Sequence, residues 1–160
     1  MPGEVAPGRG WPARVEGEVW PDGPTVPVST ATRRTMQANR RRDTAPELIV
    51  RSMLHRAGMR FRVDHPLPFD RRRRADIVFT RVGLHVFIDG CFWHGCPEHF
   101  VPPKTRASFW AEKIATNRAR DADTDSRLTH AGLLPLRFWE HVPPSDVVQV
   151  TIGVYRSLGN

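Results

Sequence analysis

Residues 75–100 read ADIVFTRVGLHVFIDGCFWHGCPEHF. Two short β-rich runs, 75–80 and 84–89, are joined by Arg81, Val82 and Gly83, a link of hairpin length. The second run feeds straight into a loop that holds both cysteines of the chain, His94 and His99, and the adjacent aromatics Phe92 and Trp93. Working outward, Thr44, Ala45, Pro46 and Glu47 fit a capping box with proline in the first turn. Ile49 and Met53, then Val50 and Leu54, recur at i, i+4, and Gly58 stops the helix. A strand over 60–63 follows, then a loop with two prolines and the run Arg71, Arg72, Arg73 and Arg74. Downstream, residues 107–131 form a long, mostly polar helix ending at Gly132. Residues 134–139 form a strand that Pro135 assigns to a sheet edge or to its own start. Pro143 and Pro144 break the chain. Ser145 can cap a last helix with Val147, Val150, Val154 and Leu158 on one side. This order of elements predicts an α/β fold: a small mixed sheet with helices on both sides.

A chain of 160 residues has room for one real core, and its 39% apolar share is ordinary for a soluble globular domain. The formal net charge of +7 points to a polyanionic partner, with nucleic acid first. Two cysteines cannot make a disulfide framework, and their histidine neighbours favour metal ligation in a reducing compartment. No apolar run approaches the ~20 residues of a membrane span. The N-terminus carries no apolar signal core, so the expected location is cytoplasmic. Residues 1–30 are rich in proline and glycine and read as a disordered or extended leader. Residues 29–42 form an Arg-rich arm, either solvated or ordered on phosphates.

Four residues separate Cys91 from Cys96, and two separate Cys96 from His99. Gly90, Gly95 and Pro97 let the backbone turn tightly enough for these side chains to converge. Thiolate with imidazole favours Zn²⁺ in a closed tetrahedral site, with a structural role because no position is left for water. His141 and His94 are both candidates for the fourth ligand. The bland alternative is a pair of buried thiols beside surface histidines.

Asp76 opens a strand that continues as Ile77, Val78 and Phe79, so a rigid element aims its carboxylate. Asp89 closes the next strand, and pairing of the two as a hairpin brings both acids to one sheet end. Glu47 could reach the same place from the first turn of its helix. Carboxylates that converge in a basic protein are what Mg²⁺ needs to dock a phosphodiester. A neutral imidazole at His94 could take a proton from an attacking water. Against this stand ordinary roles: a strand cap, a helix cap and an ion pair. Phe92, Trp93 and Trp110 could enter a base step from a basic surface. Arg71, Arg72, Arg73, Arg74, Arg60, Arg62 and Lys104 could hold phosphates. Loop aromatics more often cover a core edge, and an arginine run is more often a solvated loop.

In this order, MQANRRRDTAPE, ADIVF, VFIDGCFWHGCPEHF, FWAEKIATNRARD and WEH resemble the very short patch repair (Vsr) endonucleases, over about residues 35–141. The resemblance implies a restriction-endonuclease-like mixed central sheet flanked by helices, with a structural zinc site. The Pro/Gly-rich leader over residues 1–30 has no counterpart in that family, and the expected division is this leader and an endonuclease domain over residues 31–160. It also implies a bacterial, nucleoid-associated, Mg²⁺-dependent enzyme. The substrate is double-stranded DNA, nicked on one strand 5′ of the thymine in a T:G mismatch left by deamination of 5-methylcytosine. By position Asp76 matches the family's metal-binding aspartate, with the Ile88 carbonyl as second metal contact. His94 matches the water-activating histidine and Glu47 the acid of the first helix. Phe92, Trp93 and Trp110 match the aromatics that wedge into DNA, and Cys91 matches a zinc ligand. Asp89 stands where the family carries a histidine, so that catalytic helper is either replaced by a carboxylate or lost. His141 stands where the family has a cysteine, which together with Cys96 and His99 makes the site Cys₂His₂. A monomer is the default, with mismatch-repair proteins as further partners. Two rivals remain: a zinc module that binds DNA without catalysis, and a nuclease of the same fold with a restriction-type or structure-selective target.

Overall fold

The computed structural model describes residues 43–159. The leader expected over residues 1–30 and the Arg-rich arm over 29–42 lie outside the described residues. In chain order the described part forms helix α1 (Ala45–Arg56), strands β1 (Arg62–Leu67), β2 (Asp70–Phe79) and β3 (Leu84–Asp89), helix α2 (Ala107–His130), strand β4 (Leu134–Trp139) and helix α3 (Pro144–Leu158).

The strands lie in the order β1-β2-β3-β4. The first two pairs are antiparallel, and β3 with β4 is parallel, with α2 as the crossover. Alternate residues serve opposite faces of the sheet. Ile77, Phe79, Leu84 and Val86 pack on Val50 and Leu54 of α1 and on Val147 and Val148 of α3. Val78 and Phe87 pack on Leu128 of α2, with Leu67 and Ala75. Helices therefore cover both faces, as the element order predicts. Pro66 and Pro135 sit on the two edge strands, where a missing N–H costs no ladder bond.

Helix α1 begins and ends as its sequence predicts, with one change in the cap. The Thr44 hydroxyl donates to Glu47 Oε1 at 3.0 Å, and Glu47 Oε2 accepts the Asp43 N–H at 3.0 Å. Gly58, at φ +77°, closes the helix, and the Met59 N–H reaches back to the Leu54 carbonyl at 3.0 Å.

Four local expectations are corrected. The first strand covers 62–67, not 60–63. The arginine run is not loop but the first half of β2, because Arg73 and Arg74 find carboxylate partners that hold them in the strand. Ser145 does not cap α3. Pro143 occupies the cap position and Pro144 the first turn, while the Ser145 hydroxyl donates to Asp146 Oδ1 at 3.2 Å. The residues α3 buries are Val147, Val148 and Thr151, while Leu158 is exposed.

The register leaves the sheet forked at one end. The β2–β3 ladder runs only from Phe79↔Leu84 to Ile77↔Val86, whereas β2 stays paired to β1 as far as Asp70. The two strands part at Asp76, and β3 goes on through Ile88 and Asp89 alongside β4. Backbone groups released at such a fork need other partners.

Candidate active site and metal centre

Asp76 supplies one of those partners. Its Oδ2 accepts the Ile88 N–H at 2.7 Å, so the carboxylate bridges the fork. Burial, above all, pushes its carboxyl up to about 7 against the Ile88 hydrogen bond; the nearby charges of Glu47 and Asp89 add to the rise, and Arg51 opposes it. Glu47 is itself buried and takes Arg51 Nη2 at 2.8 Å, and Arg51 Nη1 reaches Asp43 Oδ1 at 2.6 Å. Glu47 thus acts as helix cap and as ion-pair partner near Asp76.

Beyond Asp89 the chain turns tightly. The Cys96 N–H donates to the Cys91 carbonyl at 2.8 Å and the His94 N–H to the Gly90 carbonyl at 3.1 Å. Helix α2 holds this turn from outside. Asn117 Nδ2 donates to the Trp93 carbonyl at 2.8 Å. Arg118 donates to the carbonyls of His94 at 3.1 Å and Gly95 at 2.6 Å. At Gly95 (φ +62°) a Cβ would stand 2.5 Å from Arg118 Nη2 and 2.9 Å from Ile114 Cγ2, so only glycine lets the helix approach this closely.

From this turn His94 aims Nδ1 at Asp121 Oδ2, 2.5 Å away, and carries Nε2 to 3.9 Å from Asp89 Oδ1. Burial lowers the imidazole pKa, but the Asp121 bond and the charges of Asp89 and Asp121 more than offset this and raise it. A carboxylate on Nδ1 fixes the tautomer and leaves Nε2 as the proton-accepting nitrogen. Asp89, on the far side, is tied to Arg137, whose Nη1 donates to both its oxygens at 2.9 and 3.1 Å. Asp76, Ile88, Asp89 and His94 therefore form one continuous set along the end of β3.

The thiols turn the other way. The ligand atoms of Cys91, Cys96, His99 and His141 all lie within 4.8 Å of one another. Cys91 Sγ is 3.1 Å from His141 Nδ1, and Cys96 Sγ is 3.6 Å from His141 Nδ1 and 3.7 Å from His99 Nδ1. Zn–S bonds of about 2.3 Å and Zn–N bonds of about 2.1 Å at a tetrahedral angle separate S from N by about 3.6 Å. The donor set fits a tetrahedral zinc ion in chemistry, and two of these three S–N spacings match one. Burial first, then Cys96 and Glu140, push the Cys91 thiol up to about 12, so its thiolate calls for a compensating cation. Of the two candidates for fourth position, His141 joins the cluster and His94 does not.

Phe92, Trp93 and Trp110 form one half-buried group, with ring centroids 5.3 Å (Phe92–Trp93), 5.1 Å (Phe92–Trp110) and 5.9 Å (Trp93–Trp110) apart. Arg71 and Arg72 are exposed. Arg73 instead binds Asp123 and Thr124 of α2 at 2.6 and 2.9 Å, and Arg74 binds Asp64 at 2.8 Å.

Sequence reasoning gives no role to Asp121, Asn117, Arg118 or Arg137. The first three carry a faint signal, since Asn117 and Asp121 stand at i, i+4 with Arg118 beside them on a helix. Arg137 has only the oddity of a charge in the middle of a strand.

Known proteins resemble this chain over most of its length. The family described as DNA mismatch endonuclease Vsr matches residues 28–99. The type II nicking enzyme V.NaeI of Lentzea aerocolonigenes is 41% identical over 135 residues, 83% of this chain and 81% of that protein. The DNA mismatch endonuclease Vsr of Escherichia coli K12 is 42% identical over 113 residues, covering 69% of this chain and 70% of that protein. The type II nicking enzyme V.XorIIP of Xanthomonas oryzae pv. oryzae is 40% identical over 107 residues, 66% of this chain and 76% of that protein. The matched residues 28–99 take in β1 to β3 and the turn from Cys91 to His99, and with these relatives the chain belongs to the Vsr endonuclease family.

Proposed function

We propose that this protein is a Mg²⁺-dependent DNA endonuclease that nicks one strand of a duplex 5′ of the thymine in a T:G mismatch. Its membership in the Vsr family supports endonuclease activity, and relatives named as nicking enzymes support cleavage of a single strand. The observation that carries the reading is the short path from Asp76 to His94. Asp76 is bonded to Ile88, Asp89 is the next residue in the chain, and Asp89 lies 3.9 Å from His94 Nε2.

Asp76 and the Ile88 carbonyl would hold Mg²⁺. Hard oxygen donors suit that ion, and an acid pushed up to about 7 gains when a cation shares its charge. When bound, Mg²⁺ supplies charge neutralisation on the scissile phosphate and on the departing 3′-oxygen. The chain's own groups do the rest. Asp121 keeps the proton on His94 Nδ1, and His94 Nε2 takes a proton from the water that attacks phosphorus in line. Glu47 adds negative field beside Asp76, and Arg51 partly offsets it. Cys91, Cys96, His99 and His141 would hold Zn²⁺, making the turn that carries both His94 and the wedge one rigid body. Phe92, Trp93 and Trp110 open the duplex. A T:G pair resists this less than a proper pair, so deformability supplies part of the selectivity. Arg71 and Arg72 are the members of the arginine run free to meet phosphates, since Arg73 and Arg74 are engaged within the protein.

A panel of T:G, T:A, methylated and branched duplexes, each with and without Mg²⁺, tests the proposal. Nicking confined to T:G with Mg²⁺ is the expected result. Binding without cleavage on every duplex would leave a non-catalytic zinc module. Equal cleavage of T:A or branched DNA would leave a nuclease of the same fold with another target.

A further inference from the structure

The aromatic group beside the Cys/His turn does not stop at Trp110. The Phe109 ring stands edge to face with the Trp110 ring, centroids 5.3 Å apart. Trp110 is half-buried, whereas Phe109 is 43% exposed. Over the Phe109 ring lies the Arg106 guanidinium, its carbon 4.5 Å from the ring centroid. Arg106 is the cap residue of α2, so Arg106, Phe109 and Trp110 stand at i, i+3 and i+4 on one side of the helix start. The cation and the exposed ring thus form a ledge that continues the three aromatics assigned to the wedge.

Folding does not account for this ledge. Arg106 has left-handed backbone at φ +55°, a conformation that favours glycine, and its side chain makes no cap bond to α2. Among the described residues no carboxylate or carbonyl takes its guanidinium. The first turn of α2 carries no acid, and Lys104 is exposed two residues earlier, so the local charge is positive. Phe109 leaves much of its ring in water, where it adds little to the core. What the pair does offer is a donor fork for a phosphate. A guanidinium carried over a ring is ordered by it and can keep its N–H edges outward, in the planar arrangement that meets two phosphate oxygens. A wedge that opens a base step displaces the backbone beside it, and contacts to phosphate fix the register of protein on duplex.

We propose that Arg106, carried on the Phe109 ring, is a DNA phosphate contact at the rim of the aromatic wedge and holds the backbone next to the opened step. The inference rests on the reading of Phe92, Trp93 and Trp110 as the wedge. A phosphate contact reads no base, so Arg106 strengthens binding of T:G and T:A duplexes alike. Phe109 acts through Arg106 by orienting it, which makes the two a coupled pair.

The test measures binding of T:G and T:A duplexes by anisotropy over a series of salt concentrations, with a melting curve for each variant. Arg106→Gln is expected to lower the slope of log K against log salt by about 1 and to weaken both duplexes equally, by about 3- to 10-fold. Phe109→Leu should weaken both by about 2- to 5-fold with the slope kept, because the charge remains but its support is gone. Phe109→Tyr, which keeps the ring, should bind like wild type. In the Arg106→Gln background Phe109→Leu should cost almost nothing further. Arg156, exposed in the last turn of α3 beside the β2–β3 turn, serves as the remote control, and Arg156→Gln should leave the slope unchanged. An unchanged slope in Arg106→Gln, an equal drop in Arg156→Gln, or a Phe109→Leu loss that is the same with and without Arg106 overturns the proposal. If Arg106→Gln does not fold, Arg106→Gly replaces it, because glycine suits the left-handed backbone, and the same slope decides. Trp93→Ala separates the two claims. If it leaves discrimination of T:G from T:A intact, the wedge reading fails, whatever Arg106 does. If it lowers discrimination while Arg106→Gln binds like wild type, the ledge alone fails.

Discussion

Replacing Asp76 by asparagine should make the Mg²⁺-free protein more stable while abolishing its nicking. The reason is the burial of Asp76 at the fork between β2 and β3, which pushes its carboxyl up to about 7. An unfolded aspartate titrates near about 3.9. The folded state holds this proton more tightly than the unfolded state, so the group favours folding below about pH 4 and loses that contribution as pH climbs through 7. At 1.36 kcal/mol per unit Asp76 costs the fold about 1.5 kcal/mol at pH 5, where folding must keep the proton on it, and about 4 kcal/mol at pH 8, where it is mostly ionised. Asparagine does not ionise, and its side-chain oxygen can still accept the Ile88 N–H. The gap between variant and wild type should therefore widen from about 1.5 to about 4 kcal/mol between pH 5 and pH 8. Urea unfolding at several pH values reads it, in buffers free of Mg²⁺ and free of chelators, so that the proposed zinc ion stays in place. Wild type, but not the variant, should then gain stability as Mg²⁺ is added. In Mg²⁺ the variant should bind mismatched DNA and fail to nick it. A gap that stays flat across this pH range, or a variant less stable than wild type at pH 8, would refute the idea that Asp76 is kept for function at the expense of stability.

The same geometry sets three further outcomes. Cys91→Ser should lose bound zinc and melt on the order of 10 °C lower; unchanged zinc content by atomic emission would end the proposed zinc role of the cluster. Trp93→Ala should cost about tenfold in discrimination of T:G from T:A while total binding falls less; equal losses on both duplexes would make Trp93 a packing residue. With neutral His94 as the proposed working form, and Asp121 helping to hold its pKa above the usual imidazole value, wild-type nicking should rise with pH across a midpoint above about 6.5. Asp121→Asn should slow nicking by about 10- to 100-fold and move that midpoint to lower pH; a slower enzyme with an unmoved midpoint would assign Asp121 to folding alone.

The sequence by itself determined the hairpin of β2 and β3, the helix stop at Gly58, the helical span of α2 and the ligand-bearing turn. Each depends on residues close together in the chain: short β-rich apolar runs, a glycine at positive φ, a Cys-x₄-Cys-x₂-His spacing. It also placed Asp76 and Asp89 at one sheet end, because an antiparallel hairpin leaves no other choice. What it could not decide is who meets these groups across the fold. Helix α2 looks mostly polar because part of its inward face is polar: Asn117 and Thr124 are buried, and Asp121 turns to His94. Periodicity registers apolar burial and is blind to a polar face satisfied by hydrogen bonds from another element. The arginine run reads as loop for a related reason, since Arg73 is held in β2 by Asp123, fifty residues away. Arg137 and Asp89 are separated by 48 residues and meet because β3 and β4 run parallel with a helix between them. Local sequence carries the propensity of each element. The distance between two charges is set by the crossover and the register, and only the folded chain fixes those.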